Sequence, residues 1–371
     1  MPDWTRFSFF ESAANVKRII SGRARRAPST SLAREIAICF QQGRLFYQSA
    51  ERSPLEIQPL LLFYGTVAFA KGLVMYADST RLASLPKAHG VRDTSSTTTI
   101  IPELTVRVGD NGTFQRFNDV VARLNYLAYG RDAQNYTLVL PCATSTQMTD
   151  VQLTLKEILA RVPLTQSLYR STFAEPPLNE PFMIHEADGY WQIVVEQDAP
   201  SSTRAELSMI VADLRRRFPA LGRWRLVQAS RAWGRLQLNF RNVDVPPDEL
   251  HEDVLGEYSA RFIVRGHLGS ERRELLDILS PTGGAFGNVH PSLISPHNGL
   301  YIAEHSLHYL AMFLLSSLVR YQPQTWVHAI TRSETPEAGV TDHVLALLQQ
   351  LMETHREKMP ELVTELLNAG V

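Results

Sequence analysis

The stretch from Leu300 to Trp326, LYIAEHSLHYLAMFLLSSLVRYQPQTW, constrains the fold of this chain more than any other part. It begins as an amphipathic pattern and becomes nearly all apolar, which is typical of a helix that is buried on most sides. Asn298-Gly299 predicts a turn before this helix, and Pro323 predicts its end. Because a helix of this kind must be covered on most sides, the stretch predicts a helical bundle around it.

The composition is that of an ordinary globular protein of 371 residues, with 44% hydrophobic and 20% charged residues. This length allows two domains, or one large core with an inserted subdomain. The formal net charge of −1 argues against nonspecific coating of nucleic acid or of an anionic membrane. Cys39 and Cys142 fit a reducing compartment, and the first ten residues lack the pattern of a secretory signal. We therefore expect a cytoplasmic protein.

The two longest apolar runs extend from Pro59 to Ala70 and from Tyr309 to Val319. Both are shorter than the ~20 residues that a helix needs to cross a bilayer. They predict core helices, and we expect no membrane association.

Helical spacing is found at both ends of the chain. It covers residues 10–21, the segment from Ser31 to about Glu51, the segment that starts at Pro59, and Val340 to Leu367, where Pro360 either kinks or divides the helix. We expect these helices to pack together, so that residues 1–92 and 290–371 form one helical part.

The central segment, residues 93–289, has a mixed α and β pattern. Leu104 to Phe114 alternates and has Asn111-Gly112 at its centre, which predicts a hairpin. Two strand-like runs between Pro181 and Glu196 flank Asp188-Gly189 and predict a second hairpin. The predicted fold class is therefore α+β, with a helical bundle formed from both chain ends and a mixed α/β middle segment.

Three short segments carry a recognisable pattern. They are Pro59 to Gly65 with Ala70-Lys71 after it, His89-Gly90-Val91, and Tyr309 to Pro323 with Trp326 after it. Together and in this order they resemble the YaaC-like family of bacterial proteins. The resemblance covers the two ends of the chain better than the middle, and it implies no particular reaction. The pattern of a long helix followed by a Pro-Leu-Leu-Tyr-Tyr-type helix also resembles the HEPN superfamily of helical nucleotide- and RNA-related modules.

The position of Arg320 is compatible with two roles, because an arginine at the end of an apolar helix is costly to bury unless it is paired. In a structural role it caps helix-end carbonyl groups or pairs with an acid of the N-terminal helices. In a functional role it holds an anion in a pocket beside His89 and Tyr64, with Tyr321 next to it. Both roles remain open at the level of the sequence.

Arginines are concentrated between Arg204 and Arg241, where nine of them face only Glu206 and Asp213. Interleaved aromatic residues could stack on bases while the guanidinium groups contact phosphates. Alternatively, these arginines pair with the acidic stretch from Asp248 to Glu257, or strand alternation divides them between two faces. The residues expected on a nucleic-acid surface are Arg215, Arg216, Arg217, Arg223, Trp224, Arg225 and Arg231.

Two further patterns contain residue types that are found in ligand sites. His290, His297, His305 and His308 lie close together in sequence, but no Cys or paired acid completes a zinc site near them. The glycine-rich loop from Thr282 to Asn288 lacks the Gly-Lys-Ser/Thr ending of a phosphate-binding P-loop. We therefore predict no metal and no cofactor.

No decisive catalytic motif is present. The arginine-histidine spacing of HEPN ribonucleases occurs at Arg261 and His267, but in strand-like sequence rather than on a helix. The sequence therefore favours a noncatalytic accessory protein of the YaaC-like type, a homo-oligomer or a protein that docks a partner, with nucleic-acid contact through the arginine surface as an additional property. The alternative is a HEPN-like nuclease or a nucleotide-sensing protein, in the setting of a bacterial defence system.

Overall fold

The fold is α+β, with helices from both ends of the chain in one compact unit. The computed structural model describes residues 4–23, 28–96, 100–124, 126–131, 134–139, 142–187, 190–198, 203–241, 250–253, 257–259, 284–285, 292–331 and 342–369. Unit 1 consists of Met1–Tyr126, Cys142–Pro177 and Ile302–Val371, and unit 2 consists of Leu127–Pro141 and Leu178–Tyr301. The expected boundaries at residues 92 and 290 differ from these limits, because helices of the central segment belong to unit 1.

Unit 1 contains most of the helices that the structure describes. They are α1 (Trp4–Ser8), α2 (Ala13–Arg23), α3 (Thr30–Arg52), α4 (Gln58–Asp78), α5 (Thr113–Leu124), α6 (Ser145–Met148), α7 (Leu155–Arg161), α8 (Gln166–Phe173), α10 (Glu304–Tyr321), α11 (Pro323–Ile330) and α12 (Asp342–Ala369). Helix α9 (Arg204–Arg217) belongs to unit 2.

Helices α3, α4 and α10 form the centre of unit 1. The Ser29 side chain caps α3 by accepting a hydrogen bond from the Leu32 N–H at 3.1 Å. Helix α4 has Pro59 in its first turn and is long and apolar enough to cross a membrane, but 72% of its most apolar window is buried inside the protein. Its apolar surface is therefore largely used for packing against the neighbouring helices.

The apolar stretch that begins at Leu300 forms α10 and part of α11. Every residue from Glu304 to Leu318 is buried, as the sequence pattern predicts. Asn298 and Gly299 both have positive φ and form the expected turn between His297 and Leu300. Pro323 ends α10 and also starts α11, because proline is favourable in the first turn of a helix.

Helix α12 continues through Pro360. Of the two alternatives for this segment, a kink or a division, the division is excluded, and α12 is one helix with an internal proline. On the face that α12 turns inward, the buried side chains include Leu347, Leu348, Leu351 and Met359.

A small antiparallel sheet in unit 1 replaces the first expected hairpin. It has the order β1 (Val91–Asp93), β2 (Thr105–Val108) and β5 (Gln152–Thr154). Asn111-Gly112 leads into helix α5 rather than into a returning strand. A Cβ atom at position 112 would lie 2.2 Å from the Cα atom of Gly90. Glycine is required at this position because two backbone segments approach each other closely.

Unit 2 is built on a seven-stranded sheet. Its order is β10 (His251–Glu252), β11 (Tyr258–Ser259), β8 (Arg225–Ala232), β9 (Arg235–Arg241), β7 (Tyr190–Gln197), β6 (Asn179–Ala187) and β13 (Ser292–Ile294), and neighbouring strands are antiparallel. Strands β6 and β7 form the second expected hairpin, and its tip, Asp188-Gly189, lies outside the described residues. Strands β8 and β9 form another hairpin, with Trp233 and Gly234 at positive φ in its turn.

Helix α9 covers one face of this sheet. Thr203 and Glu206 form a capping box at its start, and Leu207, Val211 and Leu214 pack into a core that contains Trp224 and other apolar side chains of the sheet. A third sheet has the order β12 (Gly284–Ala285), β3 (Tyr126–Arg131) and β4 (Gln134–Val139).

Candidate functional site

The clearest candidate site in unit 1 surrounds the buried ring of Phe63 on α4. The His89 ring meets it edge-on, with 5.0 Å between the ring centroids. The Tyr309 ring lies 5.6 Å away, the Phe313 ring 5.7 Å away, and the guanidinium carbon of Arg320 lies 5.9 Å from the Phe63 centroid. The structure thus brings together the three segments that carry the family pattern. We call Phe63, Lys71, His89 and Arg320 the Phe63 cluster.

The backbone carbonyl of His89 is fixed by two hydrogen bonds, and the residue is half-buried. Its carbonyl oxygen accepts hydrogen bonds from the Phe114 N–H at 2.9 Å and from the Tyr309 hydroxyl at 3.3 Å. Its Nδ1 atom is buried and has no hydrogen-bond partner among the described residues. Burial lowers the pKa of His89, and the positive charges of Arg320 and Lys71 lower it further. Burial and these two positive charges therefore favour the neutral form of the imidazole.

Arg320 lies in the last turn of α10 and is partly exposed. Its Nε–H donates to the Ser316 carbonyl at 3.2 Å, and its guanidinium lies over the rings of Phe63 and Tyr321. The Ser316 carbonyl precedes the last four carbonyl groups of α10, so this contact is not the helix-end capping expected from the sequence. The acid partner of that structural role is not found among the described residues.

Lys71 completes the group of cations and lies on the same helix as Phe63. Positions 63 and 71 are eight residues apart, which places them on the same face of a helix. Within the described parts of the chain, no carboxylate forms an ion pair with Lys71, His89 or Arg320. Two permanent cations and an imidazole that form no ion pair with a described carboxylate are an arrangement that favours an anion.

The two tyrosines predicted for this pocket have different places. Tyr64 is half-buried and contacts the rings of Phe46 and Phe63, with no described contact to His89 or Arg320. Phe63 takes the expected place of Tyr64, because successive residues of a helix point about 100° apart. Tyr321 is 72% exposed, and the Arg320 guanidinium carbon lies 5.0 Å from its ring centroid. Tyr321 is therefore at the edge of the cluster.

A second polar group, which the sequence did not predict, is buried between the helices of unit 1. The His355 Nε2 atom lies 2.6 Å from the Tyr47 hydroxyl and 2.8 Å from the Thr66 hydroxyl. The His308 ring lies 5.2 Å from the His355 ring, and its Nε2 atom lies 3.6 Å from a Glu304 carboxylate oxygen. Burial moves the pKa of His355 well below its ordinary value, and the electrostatic effect of His308 lowers it further. These groups connect helices from both chain ends.

The residues predicted for a nucleic-acid surface in unit 2 differ in their exposure to solvent. Arg217 is buried and pairs with Glu180 and Asp213, and Trp224 is only 1% exposed, so neither can contact nucleic acid in this fold. The surface prediction is wrong for these two residues because Arg217 and Trp224 face the core of unit 2. Arg216 is exposed and pairs with Asp213.

The other predicted members of the arginine surface lie on strand β8 or near it. Arg225 and Arg231 are exposed on β8, and Arg215 is half-buried at the end of α9. The side chain of Arg223 lies outside the described residues.

The histidines and the glycine-rich loop, for which the sequence predicts no metal or phosphate site, lie in different parts of the chain. His305 and His308 are both buried on α10, and His297 is buried in unit 2. In the described parts of the chain, no group of three or more His, Cys, Asp or Glu residues could hold a metal ion. His290, Arg261, His267 and the glycine-rich loop, apart from Gly284 and Ala285, lie outside the described residues.

Comparison with protein families identifies the chain. The YaaC-like Protein family matches residues 8–367. This chain belongs to the YaaC-like family. The match includes the central segment, which the sequence pattern left weakly covered. No curated protein and no solved structure matches the chain. The comparisons do not show the HEPN-like resemblance, which stays a prediction.

Proposed function

We propose that this YaaC-like protein is an accessory protein that binds a nucleotide through the phosphate group, and that the Phe63 cluster is the binding site. One observation carries the proposal: His89 and Arg320 from distant segments both lie against Phe63, the charge of Lys71 also lowers the pKa of His89, and none of the three forms an ion pair with a carboxylate among the described residues. Bringing positive charges close together costs free energy, and a bound anion offsets this cost.

The cluster offers suitable donors for a phosphate group. Arginine presents several N–H donors in one plane, lysine adds a compact charge, and imidazole donates one N–H in its neutral form and two when protonated. Two N–H groups of Arg320 donate to Ser316, one to its carbonyl at 3.2 Å and one to its hydroxyl at 3.5 Å, which fixes the guanidinium while its remaining N–H groups face no described acceptor. Charge-assisted hydrogen bonds of this kind are the stronger ones in proteins.

The exposed ring of Tyr321 supports a nucleotide rather than a free phosphate. It lies directly beside Arg320, and a large part of its surface faces solvent. A base stacked on an aromatic ring contributes about 1–3 kcal/mol to binding. The proposed protein acts by binding, as a homo-oligomer or docked on a partner protein, with the nucleotide as its signal.

Thermal unfolding in the presence of a ligand panel tests this proposal. The panel contains inorganic phosphate, sulfate, and adenine and guanine nucleotides with one to three phosphates. We expect nucleotides to raise the melting temperature of the wild-type protein more than phosphate does, and the shift to disappear in Arg320→Gln and in Lys71→Gln.

The exposed Arg116 on α5 provides the matched control, because Arg116→Gln removes one positive charge from the same unit. This variant should keep the wild-type ligand shift. Equal shifts in all variants, or no shift with any member of the panel, would overturn the proposed site.

A further inference from the structure

A groove of about 360 Å³ runs along helix α9 in unit 2. One wall is a single face of α9, because the residues follow one another at helical spacing. Strand β8 and Leu250 form the other wall. The lining residues are Arg204, Leu207, Ser208, Val211, Ala212, Arg215, Arg225, Leu226 and Leu250.

The groove is apolar along its length and basic at its ends. Leu207 and Val211 form a buried floor, while Leu226 and Leu250 are partly buried and can accept further apolar contact. Arg204 lies at one end of α9, and Arg215 and Arg225 lie at the other. The twelve residues from 204 to 215 extend over about 16 Å of helix.

The side chain of Arg215 is held in place, but one of its hydrogen-bond donors has no partner among the described residues. One of its terminal N–H groups donates to the Trp224 carbonyl at 2.9 Å. Its Nε atom is buried and has no hydrogen-bond partner among the described residues. Burial lowers the pKa of Arg215, and the charge of Arg225 lowers it further. Two arginines thus lie close together at this end of the groove.

Asp213 is the described acidic residue nearest to Arg215 in sequence, but it does not relieve the charge repulsion between Arg215 and Arg225. Asp213 pairs with Arg216 and Arg217, which lie next to Arg215 in sequence but outside the groove lining. Neither Arg215 nor Arg225 forms an ion pair with a carboxylate in the described part of unit 2. A carboxylate supplied by a ligand would relieve the repulsion and satisfy the buried N–H group.

We propose that this groove docks an acidic segment of a partner protein, with aliphatic side chains in the apolar centre and a carboxylate on Arg215 and Arg225. The groove is open and elongated, and about 16 Å accommodates about five residues in an extended conformation. A single small anion would leave the apolar centre uncovered, whereas an acidic and aliphatic peptide matches both the charge and the length.

Fluorescence anisotropy with short labelled peptides tests this inference on the full chain. The probe has two leucines flanked by glutamates, and the reference peptides carry glutamine or lysine in place of each glutamate. We expect the glutamate peptide to bind most tightly, and added salt to weaken it. The exposed Arg225→Glu variant should lose at least tenfold in affinity for this peptide and gain affinity for the lysine peptide.

Arg231→Glu is the control variant, because Arg231 is exposed on the same strand and does not line the groove. It should retain the wild-type affinity. Equal binding of the glutamate and glutamine peptides, unchanged binding in Arg225→Glu, or displacement of the peptide by a single-stranded oligonucleotide that binds more tightly would each overturn the proposal. Because Arg225 is exposed, circular dichroism should show the wild-type fold in Arg225→Glu.

Discussion

The imidazole of His355 and the hydroxyl of Tyr47 form a buried contact of 2.6 Å between residues that are 308 positions apart. Thr66 contacts the same Nε2 atom and also donates to the Leu62 carbonyl at 2.8 Å. The contact therefore joins helices α3, α4 and α12. It is a direct physical reason why the two ends of the chain belong to one unit.

Tyr47→Phe should lower the free energy of unfolding by about 1–3 kcal/mol, because it removes one partner of a fully buried imidazole nitrogen. Urea unfolding followed by fluorescence measures this change. Tyr321→Phe is the control, since Tyr321 is exposed and its loss of a hydroxyl should alter stability by less than about 0.5 kcal/mol. Similar losses in the two variants would show that the buried contact is energetically unimportant.

Anion affinity at the Phe63 cluster should increase as the pH falls below the ordinary histidine pKa of about 6.5. In the free protein, burial and the two neighbouring cations lower the pKa of His89. A bound anion favours the protonated imidazole and raises that pKa, so binding takes up a proton in the interval between the two values. Sulfate is the suitable probe because its own charge stays constant over this range.

His89→Gln removes the titrating group and should flatten this pH dependence. Calorimetric titration at several pH values compares the two proteins. An affinity that falls with decreasing pH in the wild-type protein, or the same pH profile in both, would contradict the role assigned to His89.

Gly112→Ala should destabilise the protein by about 1–3 kcal/mol, because the added methyl group meets backbone rather than a flexible side chain. The new Cβ atom would lie 2.2 Å from both the Cα and the N atoms of Gly90. Gly22→Ala is the matched control, since nothing described lies within 4 Å of its Cβ position in helix α2. That substitution should stabilise the helix by about 0.5–1 kcal/mol, and the two melting temperatures should therefore move in opposite directions.

Arg217→Met should lower the stability of unit 2 by about 3–5 kcal/mol, because it removes the arginine that pairs with the buried Glu180. The two side chains are 4% and 6% exposed and 3.2 Å apart. Arg216→Met is the control: Arg216 also pairs with Asp213 but is 71% exposed, and exposed pairs contribute about 0–1 kcal/mol. If denaturant unfolding showed the same loss of stability for both variants, burial would not explain the effect of Arg217.

The sequence predicts the position of a helix correctly where a local feature, such as a proline or an apolar run, marks it. Pro59 marks the start of α4, Pro323 marks the end of α10, and the apolar run after Glu304 is buried as expected. The hairpin expected at Asn111-Gly112 is wrong because the same dipeptide also suits a close approach of two backbone segments. That approach depends on Gly90, which no local pattern connects with position 112.

The candidate sites depend even more on distant contacts. The sequence predicts His89 beside Arg320 in one pocket, and both side chains lie against Phe63 in the structure. The pairing of His355 with Tyr47 carries no sequence signal, since neither residue belongs to a spaced motif. Strand alternation and burial, rather than composition, decide which arginines of unit 2 face solvent.

The most direct test of the central claim is the calorimetric affinity of the best nucleotide of the ligand panel for the wild-type protein, Arg320→Gln and Arg116→Gln. Loss of charge-assisted hydrogen bonds from Arg320 should weaken binding about tenfold or more. Arg116→Gln should bind like the wild-type protein. Binding by the wild-type protein that Arg320→Gln leaves unchanged would contradict the assignment of the Phe63 cluster as the nucleotide site.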